Sequence, residues 1–477
     1  MKILLLTVPY SVEERYGKAM KKLIGPNLYP PLGILYIAAV LENQDHEVTV
    51  LDTNILEMGV GDIREYLQEH KFDMIGISLY TPMYENFKKL ISSIKPVIGD
   101  TPVVVGGPHT FLFPKETIET IPEIDYSVHG EGEAIFPEIA DYIEGKTKLS
   151  NIKGICYREN GNIIMTEMPP FTEDLDTIPY PARHLVPMEK YIPSPSTYKN
   201  LPAHHMIATR GCYFRCTYCA SAEMLKRTIR YHSVKRVVDE MEHLIETYKS
   251  KEVFFLDDLF VANRKFVLDF CDEVINRGLN KKFEWSCHSR SGLVTKEMLL
   301  KMKESGCWQL HFGVESGVQR LLDMVKKGIT PEMSKESIRL CREVGITTRA
   351  YLMLGLPTET REESLQTIQF AKEMDPDYVK FSLLTPYPGT PIFEQIKKEG
   401  NIATTNWEYY KTVGGFGGTQ RPYVPQGRTS EELNELHKRA FKEFYFRPKI
   451  IARFLTIPKT MPELKMYIKS GIALLKA

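Results

Sequence analysis

Residues 205–223 read HMIATRGCYFRCTYCASAE, a short apolar run followed at once by three cysteines. Cys212, Cys216 and Cys219 have the spacing C-x3-C-x2-C. Three thiolates at this spacing can ligate three corners of a cubane [4Fe-4S] cluster from a single loop. The fourth iron would then lack a protein ligand and would be open to a small molecule.

A zinc site is the alternative for the same thiolates, with a nearby histidine as the fourth ligand. The candidate histidines are His204, His205 and His232. Zinc sites of this kind favour C-x2-C pairs in two separate loops, and the sequence offers no second pair. The spacing therefore favours the iron–sulfur cluster. The remaining cysteines are scattered and are predicted to be core residues or isolated thiols: Cys156, Cys271, Cys287, Cys307 and Cys341.

The cysteines follow the first strand of a regular alternation of apolar runs and helical patterns. The predicted strands cover residues 205–210, 252–258, 283–289, 308–316, 348–357 and 378–386. Six βα units in succession predict a partial (β/α)6 barrel of the TIM type over residues 204–400. In such a barrel the reactive side chains lie where the strands end and the following loops begin.

The first 145 residues show a second alternation. Apolar runs at 2–8, 47–52, 73–80, 102–107 and 124–133 are separated by amphipathic stretches. Continuous Val/Ile/Leu runs between helices predict a doubly wound, flavodoxin-like (Rossmann-like) α/β domain over residues 1–145, with its ligand at the carboxyl ends of the strands. Residues 146–203 are rich in proline and are predicted to be a linker. Residues 401–477 are predicted to form a mainly helical C-terminal extension.

Composition excludes several classes of protein. The 477 residues carry 61 basic and 61 acidic side chains, so net charge gives no argument for a nucleic-acid partner or an anionic membrane. The apolar run at the N-terminus stops at Pro9 without a cleavage site, and no stretch reaches the ~18 apolar residues of a transmembrane segment. The sequence therefore predicts a cytoplasmic protein, in which clustered cysteines indicate metal binding.

With its cysteine triad after the first barrel strand, the second half resembles the radical S-adenosylmethionine superfamily. The resemblance implies a [4Fe-4S] cluster on the triad, S-adenosylmethionine on the open iron, and reductive cleavage to a 5′-deoxyadenosyl radical. It also implies a set of S-adenosylmethionine contacts at successive strand ends. These are Tyr218 and Gly355 near adenine, Asp257 and Asp258 near the amino group, and Arg290 and Glu315 near the ribose or carboxylate.

The first half resembles the cobalamin-binding domain that precedes this type of barrel, in stretches such as YPPLGILYIAAVLENQDHEVTVLD from Tyr29 and VVVGGPHTFLFP from Val103. The implied cobalamin contacts are Ser78, Gly106, Gly107, Gly130, Glu131 and Gly132. Glycine allows close approach of the backbone to a large ligand, although tight turns alone would also explain it. The segment PYSVEERYG lacks the cobalt-ligating histidine of some relatives, and His109 is predicted to be a turn or pocket residue.

Together the two resemblances predict an enzyme that functionalises an unactivated carbon, with C-methylation from methylcobalamin as the leading hypothesis. An oxidative cyclase of the anaerobic Mg-protoporphyrin monomethyl ester type is one alternative, and a non-catalytic cobalamin- or cluster-binding sensor is another. No cysteine precedes Cys156, which argues against the methylthiotransferases. The expected partners are a small-molecule substrate (lipid, tetrapyrrole or natural product) and an electron donor such as flavodoxin or ferredoxin.

Two features near the C-terminus bear on the substrate. Aromatic residues of the extension are candidate substrate contacts: Trp407, Tyr409, Tyr410 and Tyr445. The last stretch, MYIKSGIALLKA, is mildly amphipathic. A packed terminal helix is the favoured interpretation of this stretch, and contact with a membrane surface is the alternative.

Overall fold

The apolar runs of the first 145 residues form a parallel sheet in the computed structural model, which describes residues 1–16, 29–194, 196–411 and 421–456. The strands are β1 (Lys2–Thr7), β2 (Glu47–Leu51), β3 (Met74–Ser78), β4 (Val103–Gly106) and β5 (Tyr126–Val128). Their order in space, β2-β1-β3-β4-β5, is flavodoxin-like. The doubly wound fold is confirmed.

Helices connect these strands. They are α1 (Val12–Tyr16), α2 (Leu32–Glu42), α3 (Val60–Glu69), α4 (Tyr84–Ile98), α5 (Pro108–Leu112), α6 (Pro114–Thr120) and α7 (Gly132–Ile143). In α4 the buried side chains lie three or four residues apart on one face: Tyr84, Phe87, Leu90, Ile91 and Ile94. This spacing gives the helix one apolar stripe to bury, and its other face is polar.

The structure differs from a plain linker just beyond residue 145. Strands β6 (Ile155–Glu159) and β7 (Asn162–Met165) form a hairpin that continues the sheet, antiparallel to β5. The hairpin turns at Asn160 and Gly161, which both have positive φ angles of 50° and 80°. Asn-Gly is the preferred pair for such a two-residue turn, so this segment carries its own strand signal.

The second parallel sheet has the order β15-β14-β13-β12-β11-β8. Its strands are β8 (Ala203–Met206), β11 (Glu252–Phe255), β12 (Glu284–Ser289), β13 (Cys307–Glu315), β14 (Thr347–Leu354) and β15 (Tyr378–Leu383). Every neighbouring pair is parallel, and each strand corresponds to one predicted βα unit. The partial (β/α)6 barrel is therefore confirmed. A short antiparallel pair, β9 (Thr209–Gly211) and β10 (Ile229–Tyr231), flanks the cysteine loop.

Helices alternate with the barrel strands and pack on their outer side. They are α8 (Ala220–Met224), α9 (Val234–Tyr248), α10 (Arg264–Asn276), α11 (Lys296–Glu304), α12 (Gln319–Met324), α13 (Pro331–Val344), α14 (Arg361–Met374) and α15 (Pro391–Lys398). Alternate strand residues such as Phe255, Leu310 and Leu352 join these helices in one buried apolar core. The core therefore lies between sheet and helices rather than inside the barrel.

The second part of the C-terminal extension is helical, with α16 (Ser430–Tyr445) and α17 (Pro448–Thr456), whereas residues 401–411 and 421–429 contain no α-helix. Helix α16 covers the outermost strand, β15. The Tyr445 hydroxyl accepts a hydrogen bond from the Val379 N–H at 3.0 Å and donates one to the Val379 carbonyl at 2.6 Å. His437 Nε2 donates to the carbonyl of Phe381 at 3.0 Å.

The stretch 466–477, predicted to be a packed terminal helix or a membrane contact, lies outside the described residues. Among the residues that the structure describes, no helix is both long enough and apolar enough to cross a bilayer.

Candidate functional site

The cysteine loop begins directly after β9 and is held by backbone contacts. Gly211, with φ of 102°, precedes Cys212, and a Cβ at Gly211 would lie 2.1 Å from the Thr228 carbonyl oxygen. Only glycine fits this crossing of the β9–β10 pair. Further along, the Cys219 N–H donates to the Cys216 carbonyl at 3.1 Å, and Cys219 caps helix α8. The three thiols are thereby fixed on one short loop.

Hydrogen-bond donors point at the three sulfur atoms. The Phe214 N–H donates to Cys212, and the N–H groups of two residues in α8 donate to Cys219. Arg290 Nη1 lies 3.8 Å from Cys216 Sγ. Burial raises the pKa of the Cys212 and Cys219 thiols, and these donors oppose that effect by favouring the thiolate. Thiolates that accept peptide N–H bonds are the ligand set of iron–sulfur clusters, so the loop fits the cluster.

The zinc alternative finds no support in the geometry. No group of three His, Cys, Asp or Glu side chains in the described part of the chain is arranged to hold a single metal ion. His204 packs against the Tyr248 ring, and His205 packs against the Phe254 ring.

The two aspartates after β11 differ sharply in environment. Asp257 is buried, and its carboxylate accepts the backbone N–H groups of Ala208 and Thr209, three or four residues before the first cysteine. Burial raises the pKa of Asp257 to about 7. Asp258 is exposed and accepts a hydrogen bond from the Ser221 hydroxyl at 2.7 Å. Asp257 therefore fixes the start of the cysteine loop, whereas Asp258 is exposed to solvent and contacts Ser221, just after the loop.

Arg290 follows β12 and reaches the same loop. Its guanidinium lies 3.5 Å from the ring centroid of Phe214, in a cation–π contact. The side chain is buried, and among the described residues Nη2 has no hydrogen-bond partner. A buried guanidinium N–H without an acceptor costs free energy, so this donor fits the carboxylate of a bound ligand such as S-adenosylmethionine.

Glu315, at the end of β13, belongs to a buried polar triad. Tyr218 donates to Glu315 Oε1 at 2.9 Å, and Lys327 Nζ donates to the same oxygen at 2.7 Å and to the Tyr218 hydroxyl at 3.0 Å. Glu315 has a φ of 66° beside a bulge in the β13–β14 pairing, which turns its side chain toward the cysteine loop. Sequence reasoning missed Lys327, which lies in a loop with no motif around it.

Gly355, predicted to border adenine, follows β14 with a φ of 79°. A Cβ at this position would contact Leu433 of α16 at 3.4 Å. Nearby, Glu359 is buried and accepts the Leu356 N–H at 2.6 Å and the Ser364 hydroxyl at 2.7 Å. Glu359 thus fixes the loop after β14, and the adenine contact of Gly355 stays a prediction.

The glycines predicted to approach cobalamin contact their own chain closely. A Cβ at Gly107 would lie 2.8 Å from the Leu79 carbonyl oxygen, and one at Gly130 would lie 2.7 Å from Ile135. At Gly132 the obstacle is Ile37, at 2.5 Å. Gly106 is less crowded, with Phe136 at 3.6 Å. These positions close the carboxyl edge of the first sheet tightly, which favours the structural explanation for glycine at 107, 130 and 132.

At that edge Glu131 and His109 also have partners within the chain. Ser78 Oγ lies 3.1 Å from the position of a Cβ at Gly107, and Glu131 Oε2 accepts the Thr172 N–H at 2.8 Å. His109 is buried in α5, with Nδ1 3.1 Å from the Thr81 hydroxyl, and burial lowers its pKa to about 4. Contact of Ser78 or Glu131 with cobalamin stays a prediction.

Two of the four aromatic residues proposed as substrate contacts are packing residues. Tyr410 is fully buried and donates to the Thr404 carbonyl at 3.0 Å, and Tyr445 is bound to β15. Trp407 packs edge-on against Tyr410, with their ring centroids 4.8 Å apart. Tyr409 is half-buried. Tyr410 and Tyr445 therefore pack within the chain, and substrate contact by Trp407 and Tyr409 stays a prediction.

Each half of the chain matches a known protein family. Residues 206–371 match the model of the radical SAM superfamily, and residues 25–140 match that of the B12 binding domain. An uncharacterized methyltransferase of Pyrococcus horikoshii is 33% identical over 454 residues, covering 95% of this chain and 94% of the relative. The chain belongs to the cobalamin-binding radical S-adenosylmethionine family. As a radical S-adenosylmethionine enzyme, it uses a [4Fe-4S] cluster, S-adenosylmethionine and cobalamin.

Two further proteins are similar to this radical S-adenosylmethionine enzyme. The anaerobic magnesium-protoporphyrin IX monomethyl ester cyclase of Cereibacter sphaeroides is 29% identical over 428 residues, covering 88% of this chain and 67% of the cyclase. The solved structure of TsrM from Kitasatospora setae, a radical S-adenosylmethionine methyltransferase, superposes with a TM-score of 0.70 at 18% identity, covering 94% of this chain and 89% of TsrM. The similarity to TsrM is a similarity of fold.

Proposed function

We propose that the protein is a C-methyltransferase acting on an unactivated carbon of a small molecule. The observation that carries the proposal is the cysteine loop, with N–H donors on its sulfurs and the unpartnered Arg290 Nη2 beside it, in a chain that also has a B12 binding domain. The methyltransferase relative from Pyrococcus supports the same function because it matches nearly the whole chain. When bound, the cluster and S-adenosylmethionine supply a 5′-deoxyadenosyl radical, and cobalamin supplies the methyl group.

The residues of the chain have separate roles in this proposal. Cys212, Cys216 and Cys219 hold the cluster, and Arg290 binds the carboxylate of S-adenosylmethionine through its unpartnered nitrogen. The ion pair of Glu315 and Lys327 has side-chain exposures of 10% and 8%. It therefore walls one side of the loop and excludes water, which protects a reactive radical from side reactions.

The reducing electron comes from a small redox protein such as flavodoxin or ferredoxin, and the enzyme works in a reducing cytoplasm, where the cluster is stable. The substrate is a lipid, a tetrapyrrole or another natural product. The relative that is a protoporphyrin ester cyclase supports the tetrapyrrole class in particular.

The test is product analysis on the anaerobically reconstituted protein with a reductant and methyl-labelled S-adenosylmethionine. A methyltransferase releases 5′-deoxyadenosine and S-adenosylhomocysteine in similar amounts, and the label appears on cobalamin. The cyclase relative supports a second candidate, an oxidative ring-forming reaction, which releases 5′-deoxyadenosine without S-adenosylhomocysteine in proportion. Absence of 5′-deoxyadenosine from protein with an intact cluster spectrum contradicts both.

A further inference from the structure

The interior of the barrel is lined by polar side chains. Along each strand, residues such as Phe312, Leu352 and Phe381 join the outer apolar core, and their neighbours point inward. The inward set includes His288, Gln309, His311, Arg349, Tyr351 and Lys380. The rings of His288 and Tyr351 approach to 6.3 Å although their strands, β12 and β14, are not neighbours. Closed eight-stranded barrels are filled by layers of branched aliphatic residues, whereas the interior of this six-stranded partial barrel is polar.

Lys380 is the side chain of this set that lacks a partner. It lies in the middle of β15, opposite Tyr351 in the strand pairing, with Nζ 5.9 Å from the centroid of that ring. Among the described residues, no carboxylate and no hydrogen-bond acceptor contacts its ammonium group. Burial, with a smaller contribution from Arg349, lowers the pKa of Lys380 to about 8, so the group is still mostly charged at pH 7.

Arg349 adds a second positive charge to the same interior. Its guanidinium donates to the Ser196 carbonyl and lies 5.2 Å from the Tyr378 ring centroid. The Nε atom is buried without a hydrogen-bond partner, and within the described chain no carboxylate lies close enough to form an ion pair with it. Arg349 is buried and Lys380 is half-buried, so both cations have lost part of their hydration without gaining a counter-charge, which costs free energy.

The acidic groups near the barrel strands are already engaged elsewhere. Glu252 accepts the Trp308 Nε1–H at 2.6 Å and two backbone N–H groups, and Glu315 is paired with Lys327. The carboxylate of Asp257 is held by the backbone before the cysteine loop. These carboxylates do not neutralise Lys380 and Arg349.

The remaining neighbours are neutral hydrogen-bonding groups. His311 lies 2.9 Å from the Tyr351 hydroxyl through Nδ1 and 2.7 Å from Gln309 Oε1 through Nε2. Burial lowers the pKa of both His288 and His311, so neither adds charge at neutral pH. The interior thus combines two uncompensated cations with neutral hydrogen-bonding groups, which is a complementary environment for an oxyanion.

We propose that Lys380, supported by Arg349, binds an anionic group of the substrate, a carboxylate or a phosphate, inside the barrel. This inference rests on the proposed function for the existence of a small-molecule substrate. The anionic group is distinct from the carboxylate of S-adenosylmethionine, which Arg290 binds at the strand ends. Charge-assisted contact with Lys380 would then anchor the substrate within the barrel and leave its reacting carbon toward the cysteine loop.

Calorimetric titration of full-length, cluster-reconstituted protein tests the proposal without turnover. Inorganic phosphate and acetate serve as separate probes, at ionic strength matched with chloride. We expect at least one probe to bind, with Lys380→Met weakening its affinity about tenfold or more and Lys380→Arg keeping most of it. Preference for acetate or for phosphate identifies a carboxylate or a phosphate. Lys335→Met removes an exposed lysine paired with Glu373 and should change nothing.

Equal binding by the wild type and Lys380→Met overturns the proposal, since the probe is then an adventitious ion only. Absence of binding by the wild type overturns it as well. If Lys380→Met loses its cluster absorbance, Arg349→Gln replaces it, with a loss of several-fold expected and unchanged affinity counting against the proposal. Failure of the proposed function is distinguishable, because it appears as missing 5′-deoxyadenosine in the wild type whatever the titration shows.

Discussion

The carboxyl ends of the two parallel sheets are built in opposite ways. In the first sheet, glycines pack against their own chain, and the polar side chains Glu131 and His109 are hydrogen-bonded or buried within it. In the barrel, the strand ends bring together thiols, a carboxylate and cations, and among the described residues the Arg290 Nη2 donor has no hydrogen-bond partner. The carboxyl edge is therefore closely packed in the first sheet and lined by charged and metal-ligating groups in the barrel. Substitutions at the first edge should mainly change stability, whereas substitutions at the second should also change cofactor binding.

The largest effect is expected from the cysteine loop. Cys212→Ala should abolish the cluster and all cleavage of S-adenosylmethionine, because two thiolates no longer hold the cubane, and cobalamin binding should persist. Iron and sulfide content, 5′-deoxyadenosine yield and the cobalamin spectrum measure these three properties. Cys156→Ala, in the first sheet, is the matched control and should keep all three. Cleavage of S-adenosylmethionine by Cys212→Ala would contradict the assignment of the three cysteines as cluster ligands.

The buried ion pair offers the second test of the barrel edge. Lys327→Met leaves the Glu315 carboxylate buried without its cation and should lower the free energy of unfolding by about 3 kcal/mol. Lys335→Met, which breaks an exposed pair, should cost under about 1 kcal/mol. Denaturant titration of the apo proteins measures both, and adding Glu315→Gln to Lys327→Met should recover part of the loss. Equal losses of stability in the two single variants would show that burying the Glu315 carboxylate without its cation has no extra cost.

At the edge of the first sheet the corresponding test is acid stability. The pKa of His109 is about 4 in the folded chain and about 6.5 when unfolded, so the unfolded state binds the proton first. Its contribution to stability is present above about pH 6.5 and is lost as the pH falls to about 4, amounting to at most about 3 kcal/mol. His109→Gln should flatten this part of the stability–pH profile. An unchanged slope in the variant would assign the acid sensitivity to another group.

The smallest effect is expected at the glycines. Gly107→Ala introduces a Cβ against the Leu79 carbonyl at a φ of 105° and should cost about 2 kcal/mol even without cobalamin. Gly61→Ala lies in α3 with open space around it and should be neutral or slightly stabilising. Thermal unfolding of the cobalamin-free proteins measures the difference. Normal stability with lost cobalamin affinity in Gly107→Ala would show instead that this glycine is there for the ligand.

Much of the fold is readable because its signals are local. Parallel strands buried on both faces appear as apolar runs, and the cysteine triad is close in sequence. The hairpin at Asn160-Gly161 also has a local signal, which the prolines that follow it obscured. The C-terminal extension is harder to predict, because whether Tyr410 and Tyr445 contact a substrate or their own chain depends on how the extension packs.

The rest of the site depends on contacts between distant parts of the chain. Lys327 reaches Glu315 only because the loop after α12 returns to the strand end, and no motif marks that return. The scattered cysteines give a second example. The structure gathers four of them into the barrel core, near enough to influence one another's pKa: Cys271, Cys287, Cys307 and Cys341. The polar interior was in principle readable, since Lys380 and Ser382 alternate with apolar residues in β15.

The bonds from α16 to β15 have a consequence for how the chain can be divided. An outermost strand with bare N–H and C=O groups is a template on which other chains can add. Tyr445 occupies both backbone groups of Val379, and His437 occupies the carbonyl of Phe381. These side chains thus occupy backbone groups with which a seventh strand would otherwise pair. The sheet can therefore end at β15 without offering these groups to another chain. Any fragment that keeps β15 but ends before residue 445 would expose these backbone groups and is expected to aggregate.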